Sequence, residues 1–169
     1  YAMECVILHD VGKINFMNLY SRTGRQWFEE EYEMAHMHTM VGEACLKTRE
    51  STRDFAPIAQ GHHRWYDGSG GYPDEYIRLS CPYRQMVDVI GLADWLDNVT
   101  EADRLYTGIE KNFDEAVASA VEMGGRRFSP LLTARLSDKK VAQEICKALA
   151  EGRREAYYQL FTAGKGRAL

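Results

Sequence analysis

The sequence predicts an all-α fold. We expect a helical bundle that forms a single domain over residues 1–169. Apolar residues recur at helical spacing, as Val87, Ile90 and Gly91 do on one stripe with Asp94. No alternating apolar and polar stretch is long enough to indicate a strand. A chain of 169 residues that is 45% hydrophobic can bury one sizeable core and hardly two.

Glycines and polar segments delimit the helices predicted in the first half of the chain. The first helix covers residues 2–10 and is closed by Gly12, because glycine is common at helix C-termini. A loop continues through Asn18 to Gly24. Two further helices are predicted over residues 29–49 and 54–63.

The second half begins with a glycine-rich loop, DGSGGYPDEY, that follows the His62-His63 pair and favours neither helix nor strand. A long helix over residues 82–99 comes next. The later helices are defined by their capping residues: Asn112 or Asp114 opens a helix that ends at Gly124-Gly125, Ser129-Pro130 opens a short helix, and the last helix covers residues 138–161 with Val141, Ile145, Ala148 and Leu149 inward.

Composition excludes several functional classes. The net charge is -4, which argues against a surface that coats DNA or RNA. No apolar run approaches the roughly 18 residues of a membrane helix, and the start, YAMECVILHD, has no basic segment of a secretion signal. The four cysteines are far apart, which excludes a zinc-ribbon pattern and suggests reduced thiols. We therefore expect a cytoplasmic protein without a membrane segment in this chain.

All five histidines fall within the first 63 residues. His9 adjoins Asp10 at the end of an apolar helix, and His62 adjoins His63 at the start of the glycine-rich loop. His38 shares a helical stripe with apolar residues and is expected to face the interior, whereas His36 lies on a partly charged face and is expected to face water.

Asp94 lies on the apolar stripe of its helix, and Asp97 continues that stripe. A carboxylate that faces a core is costly unless it is paired or binds a metal. Imidazoles and carboxylates together suit Fe, Mn, Zn or Ni rather than Ca or Mg alone. Two ions about 3.5–4 Å apart would clamp a phosphodiester and activate a water. Taken singly, His38 could instead be a satisfied core histidine and Asp94 a buried hydrogen-bond hub.

Several ordered segments resemble one family, the HD-GYP domains of the HD superfamily of metal-dependent phosphohydrolases. The resemblance spans roughly residues 4–132. The matching segments are His9-Asp10-Val11-Gly12-Lys13, His38-Thr39-Met40-Val41-Gly42, His62-His63 with Asp67-Gly68 and Gly70-Gly71-Tyr72-Pro73, Ala93-Asp94 with Asp97 and Thr100, Arg104-Leu105-Tyr106 and Arg127-Phe128-Ser129-Pro130.

The resemblance implies a phosphodiesterase that hydrolyses cyclic dinucleotides, chiefly cyclic di-GMP, to the linear dinucleotide or GMP. It implies two or three metal ions, often iron or manganese. An upstream sensory or receiver domain and a homodimer are compatible with it. The residue roles that it implies are metal ligation by His9, Asp10, His38, His62, His63 and Asp94, with Asp10 bridging two ions, phosphate contact by Lys13 and Arg104, and shaping of the substrate site by Asp67, Gly70, Gly71, Tyr72 and Pro73.

Three departures from the family pattern leave alternatives open. The family has a histidine ligand about one long helix before the HD pair, where this sequence has only eight residues before His9. The residue directly after the histidine pair, a glutamate in the family, is Arg64 here, and the loop has an extra glycine, Gly70-Gly71. There are two alternative interpretations. One is a domain that binds a nucleotide without turnover, and the other is an HD-superfamily hydrolase that acts on another nucleotide.

Other aromatic and basic residues have simpler interpretations. Packing around the loop is favoured over base stacking for its aromatic residues, which are Trp65, Tyr66, Tyr72 and Tyr76. Solvated surface charge is the interpretation for the two arginine pairs, which are Arg126-Arg127 and Arg153-Arg154.

Overall fold

The computed structural model describes residues 1–21, 25–101 and 111–165. Over these ranges the chain forms helices and no strand, and its β contacts are two isolated bridges, Arg64 with Gly71 and Gly124 with Phe128. The prediction of an all-α fold is therefore confirmed. Within the same ranges, no helix combines the length and the apolar character that crossing a membrane requires.

The described α-helices are, in chain order, α1 Ala2–Leu8, α2 Met17–Tyr20, α3 Glu29–His36, α4 His38–Lys47, α5 Ala56–Gly61, α6 Arg84–Thr100, α7 Phe113–Glu122, α8 Pro130–Leu136 and α9 Lys139–Lys165. Three 3₁₀ segments accompany them: Val11–Phe16, Arg53–Phe55 and Arg78–Ser80.

The helices of the second half begin where the capping residues predicted. The Asn112 side chain accepts a hydrogen bond from the Glu115 amide (2.9 Å), and the Glu115 carboxylate accepts one from the Asn112 amide (3.1 Å), so α7 starts with a capping box. Ser129 occupies the N-cap position of α8 ahead of Pro130, although its side chain makes no capping hydrogen bond. Helix α9 continues to Lys165, past the predicted end at residue 161.

The helix predicted over residues 29–49 is interrupted at Met37, which separates α3 from α4. Side chains take the carbonyls that a continuous helix would use at this point. His38 Nδ1 lies 2.6 Å from the Ala35 carbonyl oxygen, and the Thr39 hydroxyl donates to the His36 carbonyl at 3.0 Å. The interruption thus follows from the same histidine that the sequence places in the interior.

The prediction of a loop after Gly12 is also wrong for the part of this segment that the structure describes. The chain turns from α1 into the 3₁₀ segment Val11–Phe16 and then into α2, while residues 22–24 lie outside the described ranges. Gly12 does not end a helix. It is a point of close approach, because a Cβ atom there would lie 2.0 Å from the His38 carbonyl oxygen and 2.7 Å from the Gly42 amide nitrogen.

Helix α6 lies between two apolar clusters. One face contributes Val87 and Ile90 to a cluster shared with α1, α5 and the segment before α6. The other contributes Leu92, Leu96 and Val99 to a cluster formed with α7 and α8. Because both clusters use α6, the stripe that carries Asp94 is held in a fixed position against α5.

Asp97 and Arg153 differ from their predicted settings. Arg153 of α9 donates to the Asp97 carboxylate at 2.8 Å and to the Thr100 carbonyl at 2.9 Å, and it lies 3.0 Å from the Glu101 carboxylate. Arg153 is therefore an ion-paired tie between α6 and α9 rather than solvated charge. Asp97 is used in this tie and does not extend the stripe of Asp94 into the histidine cluster.

The contact at Gly12 predicts a specific loss of stability. Gly12→Ala is expected to lower the free energy of unfolding by about 2 kcal/mol or more, since two backbones would have to separate. Gly152→Ala is the matched control, because nothing lies within 4 Å of a Cβ there and alanine favours the α9 helix. Urea unfolding of both variants measures the difference. Equal stabilities would contradict the close approach.

Candidate metal centre

The histidines of the cluster are oriented by backbone carbonyls. His9 Nδ1 lies 2.7 Å from the Val6 carbonyl oxygen, and His62 Nδ1 lies 3.0 Å from that of Ala59. His38 Nδ1 makes the equivalent contact within α4 and the turn before it. A carbonyl oxygen only accepts, so each Nδ1 carries a proton, and in the neutral ring the Nε2 atom keeps a free lone pair. Histidines that bind metals commonly show this arrangement.

The free Nε2 atoms converge on the Asp10 carboxylate. His38 Nε2 and His62 Nε2 lie 3.3 and 3.6 Å from Asp10 Oδ1, and His9 Nε2 lies 3.3 Å from Asp10 Oδ2. His38 Nε2 and His62 Nε2 are 3.4 Å apart. Two nitrogen lone pairs at that distance repel unless a cation or a proton lies between them.

Asp94 completes the cluster from α6. Its Oδ1 lies 3.6 Å from His9 Nε2, and its Oδ2 lies 3.9 Å from His63 Nδ1. Asn98, one turn further along α6, donates to Asp94 Oδ2 at 2.8 Å and holds the carboxylate in place. Gly91 allows this approach, because a Cβ atom there would lie 2.4 Å from the His62 carbonyl oxygen.

The donor set fits metal ions. Two groups have all their ligand atoms within 4.8 Å of one another, one formed by His38, His62 and His63 and one by His9, Asp10 and His62. Metal–nitrogen bonds of about 2.1 Å place neighbouring ligands roughly 3–3.5 Å apart, close to the distances seen here. Two buried atoms of the cluster, His9 Nε2 and Asp10 Oδ1, have no hydrogen-bond partner in the part of the chain that the structure describes. Unpartnered buried acceptors that face one another are expected where a cation binds.

The carboxylates and the burial of the cluster determine the direction in which the pKa of each titratable group shifts. Burial opposes the charge of Asp10, but the His38, His62 and His9 rings and the Lys13 ammonium hold its pKa well below its usual range. Burial would lower the pKa of His9, but Asp10 and Asp94 raise it to about 10.

Burial dominates at the two adjacent histidines of α5. It lowers the pKa of His62, and it lowers the pKa of His63 further with help from the His62 charge. Both rings are therefore neutral near pH 7 and keep their lone pairs available for a metal.

Lys13 is the cation of the cluster. It follows Asp10 by one turn of the 3₁₀ segment and forms an ion pair with Asp10 Oδ2. Its side chain is 22% exposed, so the ammonium is reachable from the cavity beside the cluster. This cavity has a volume of about 290 Å³, and its wall includes Lys13, His38, His63, Tyr72 and Asp94.

The loop after His63 is held by Arg64. Its guanidinium donates to the Gly71 carbonyl at 3.1 Å and to the Gly68 carbonyl at 2.8 Å, and it pairs with Asp74. Gly71 has φ +73° and leaves no room for a Cβ atom, which would lie 2.1 Å from the His63 carbonyl oxygen. Arg64 therefore fixes the course of the loop rather than contacting the cluster.

Tyr72 is the loop residue that reaches the cluster. Its ring stacks on His36 at 3.8 Å between centroids and is tilted against His63 at 4.7 Å. His36 is exposed, as its helical phase predicts, but the stacking on Tyr72 gives it a place at the rim that the sequence did not indicate.

The remaining substrate residues implied by the resemblance are spread over the loop. Gly71 and Tyr72 line the cavity, whereas Asp67, Gly70 and Pro73 are absent from its lining. Asp67 is exposed and accepts a hydrogen bond from the Ser69 amide (2.8 Å), and Pro73 is buried. Arg104 lies outside the described residues.

Two residues were missed or misjudged from the sequence. Asn98 lies four positions after Asp94, so helical spacing alone could have identified it as a partner. Arg127, expected as solvated charge, is half-buried and lines the cavity. No local pattern indicates this, because the contacts of Arg127 depend on how α6 and α7 pack.

Comparison with known proteins identifies the family of this chain. The model of the HD domain family matches residues 1–148. The chain belongs to the HD domain family. Two relatives are each 30% identical to this HD domain. One is the cyclic di-GMP phosphodiesterase response regulator RpfG of Xanthomonas campestris, over 142 residues, 82% of this chain and 36% of that protein. The other is the cyclic di-GMP phosphodiesterase of Thermotoga maritima, over 125 residues, 73% of this chain and 33% of that protein. The HD domain thus spans about a third of the length of these relatives.

Metal content tests which carboxylates of α6 belong to the centre. Asp94→Asn is expected to weaken metal binding by about 100-fold or more, because a charged donor is removed. Asp97→Asn, three residues away, is expected to retain the wild-type content, since Asp97 pairs with Arg153. Elemental analysis after dialysis against dilute metal measures both. Equal loss in the two variants would contradict the assignment.

Loop stability tests the role of Arg64. Arg64→Gln is expected to lower the free energy of unfolding by about 1–2 kcal/mol and to speed hydrogen exchange of the loop amides, because it removes charged hydrogen bonds to two carbonyls. Asp74→Asn is expected to cost less than about 0.5 kcal/mol, since the Asp74 side chain is 91% exposed. A loop that exchanges at the wild-type rate in Arg64→Gln would refute this role.

Proposed function

We propose that this HD domain is a metal-dependent phosphodiesterase that hydrolyses a cyclic dinucleotide, cyclic di-GMP, to the linear dinucleotide or to GMP. The observation that carries the proposal is the Asp10 carboxylate, whose two oxygens face different imidazoles. The family match supports phosphohydrolase chemistry, and the two relatives named as cyclic di-GMP phosphodiesterases support this substrate.

The proposed metals are iron or manganese. Mixed imidazole and carboxylate donors suit either ion. Two ions would be held by the two groups of converging ligands, one of His38, His62 and His63 and the other of His9, Asp10 and His62, with Asp94 beside His9 and His63. When bound, such a pair of ions polarises the phosphoryl oxygens and lowers the pKa of a water toward about 7.

The side chains around the cluster would orient the substrate. The Lys13 ammonium lies beside Asp10, where it would stabilise the negative charge that builds on the phosphoryl oxygens during cleavage. The Tyr72 ring, which contacts His36 and His63 and lines the cavity, would limit the orientations of a bound nucleotide. Asn98 would hold Asp94 in place.

Activity of the purified, metal-loaded chain tests the proposal. Cyclic di-GMP is expected to be opened to the linear dinucleotide with manganese or iron present, and chelation should abolish the reaction. Lys13→Gln is expected to lower kcat by about 100-fold while metal content is retained, because one charge that stabilises the transition state is lost. Lys47→Gln is the matched control, since Lys47 is exposed on α4, where it pairs with Glu43.

The outcomes separate the alternatives. Binding of cyclic di-GMP without cleavage, by protein with a full metal content, would indicate a regulatory domain instead of an enzyme. Cleavage of other nucleotides or phosphomonoesters in preference to cyclic di-GMP would refute the proposed substrate and keep the hydrolase. Wild-type turnover by Lys13→Gln would contradict the role of Lys13 alone.

A further inference from the structure

Arg127 has an unusual setting in the cavity beside the metal centre. Its side chain is half-buried, and its guanidinium lies over the rings of Trp95 and Phe128, 5.5 and 5.3 Å from their centroids. It forms no hydrogen bond or ion pair with any side chain or carbonyl of the described residues. The neighbouring Arg126, by contrast, is exposed.

The backbone around Arg127 is well fixed. Its amide donates to the Met123 carbonyl at 2.9 Å, and its carbonyl accepts from the Tyr66 amide at 3.0 Å. The turn that leads into it has Gly125 at φ +82°, which suits glycine. The side chain therefore starts from a rigid position between the loop of Tyr66 and the helix of Trp95.

A half-buried guanidinium without a hydrogen-bonded partner is unfavourable unless something compensates its charge. The two aromatic faces compensate only in part, because a cation over a ring gains about 0.5–2 kcal/mol and uses none of the N–H donors. Arg127 lines the cavity together with Lys13 and Tyr72, so its N–H donors are available to a group bound there. A planar fork of donors matches the oxygens of a phosphate group.

The cavity has positive charge at two distinct places. Lys13 is paired with Asp10 inside the metal centre. Arg127 lies over the Trp95 ring of α6; burial lowers its pKa, and the Asp94 carboxylate opposes this shift. Lys13 would contact a phosphate at the metal centre, and Arg127 is then available to bind a second anionic group.

We propose that Arg127 binds the second phosphate of the substrate, the one that is not cleaved, and so favours substrates with two phosphates over simple diesters. This inference rests on the proposed phosphodiesterase function. Trp95 and Phe128 act as supports that keep the guanidinium extended into the cavity.

The test compares two substrates and two adjacent arginines. The substrates are cyclic di-GMP, with two phosphates, and bis(p-nitrophenyl) phosphate, with one. Arg127→Gln is expected to raise KM for cyclic di-GMP by about 10- to 100-fold, as loss of a charged hydrogen bond does, and to leave kcat within about twofold. Its activity on the simple diester and its metal content should equal those of the wild type.

The controls separate binding from structure. Arg126→Gln removes the same charge from the adjacent exposed position and is expected to behave as the wild type. Arg127→Lys should recover part of the affinity, since it keeps the charge without the fork. Equal losses on both substrates in Arg127→Gln, or no change in KM for cyclic di-GMP, would overturn the inference.

Calorimetric titration with cyclic di-GMP decides the inference even if the proposed function fails. If the wild type cleaves neither substrate but binds cyclic di-GMP, a Kd at least tenfold weaker in Arg127→Gln than in Arg126→Gln supports the role of Arg127. Equal Kd values in the two variants, or no binding by the wild type, overturn it.

Discussion

The structure depends on one carboxylate that is shared by imidazoles from several helices. Asp10 lies at the start of the 3₁₀ segment, and its oxygens face His9, His38 and His62. Such a carboxylate keeps its charge in a buried setting only because cationic or polar groups surround it on every side. The imidazoles, in turn, cannot satisfy their Nε2 atoms through one another. The cluster thus contains groups of donors that could hold a metal ion, and an apolar core would not tolerate them.

Close contacts between backbone segments position the residues of this cluster. Backbones approach closely at Gly12 and at Gly91, so that the 3₁₀ segment contacts α4 and α6 contacts α5. These contacts bring Asp10 and Asp94 within 3.3 and 3.6 Å of the same atom, His9 Nε2. Backbone carbonyls then orient the rings of His9, His38 and His62, because the Nδ1 atom of each contacts a carbonyl of its own helix turn. The interruption of the helix at Met37 has the same origin, since His38 takes a carbonyl that the helix would have used.

The sequence predicted the cluster better than the elements that form it. Its six donors were named from the resemblance to the HD-GYP domains, and for His38 and Asp94 their apolar stripes gave a second reason; the donors do converge here, and their role as ligands remains a proposal. The break at Met37 was not predictable, since it arises from side chains that compete for carbonyls. The pairing of Asp97 with Arg153, 56 positions apart, required the packing of α9 on α6. Helical phase alone cannot distinguish a carboxylate in a metal centre from one in an ion pair.

The same limitation explains why Arg127 and Arg153 were wrongly predicted to be solvated. Together with Arg64 they look alike in sequence as isolated or paired basic residues, and each has a different physical setting. Arg64 binds carbonyls of its own loop, and Arg153 binds carboxylates of another helix. Arg127 has aromatic faces and no anionic partner in the described ranges. Arg127 is half-buried without a side-chain hydrogen bond to the described residues, and its place in the cavity wall is the ground on which we assign it a ligand as partner.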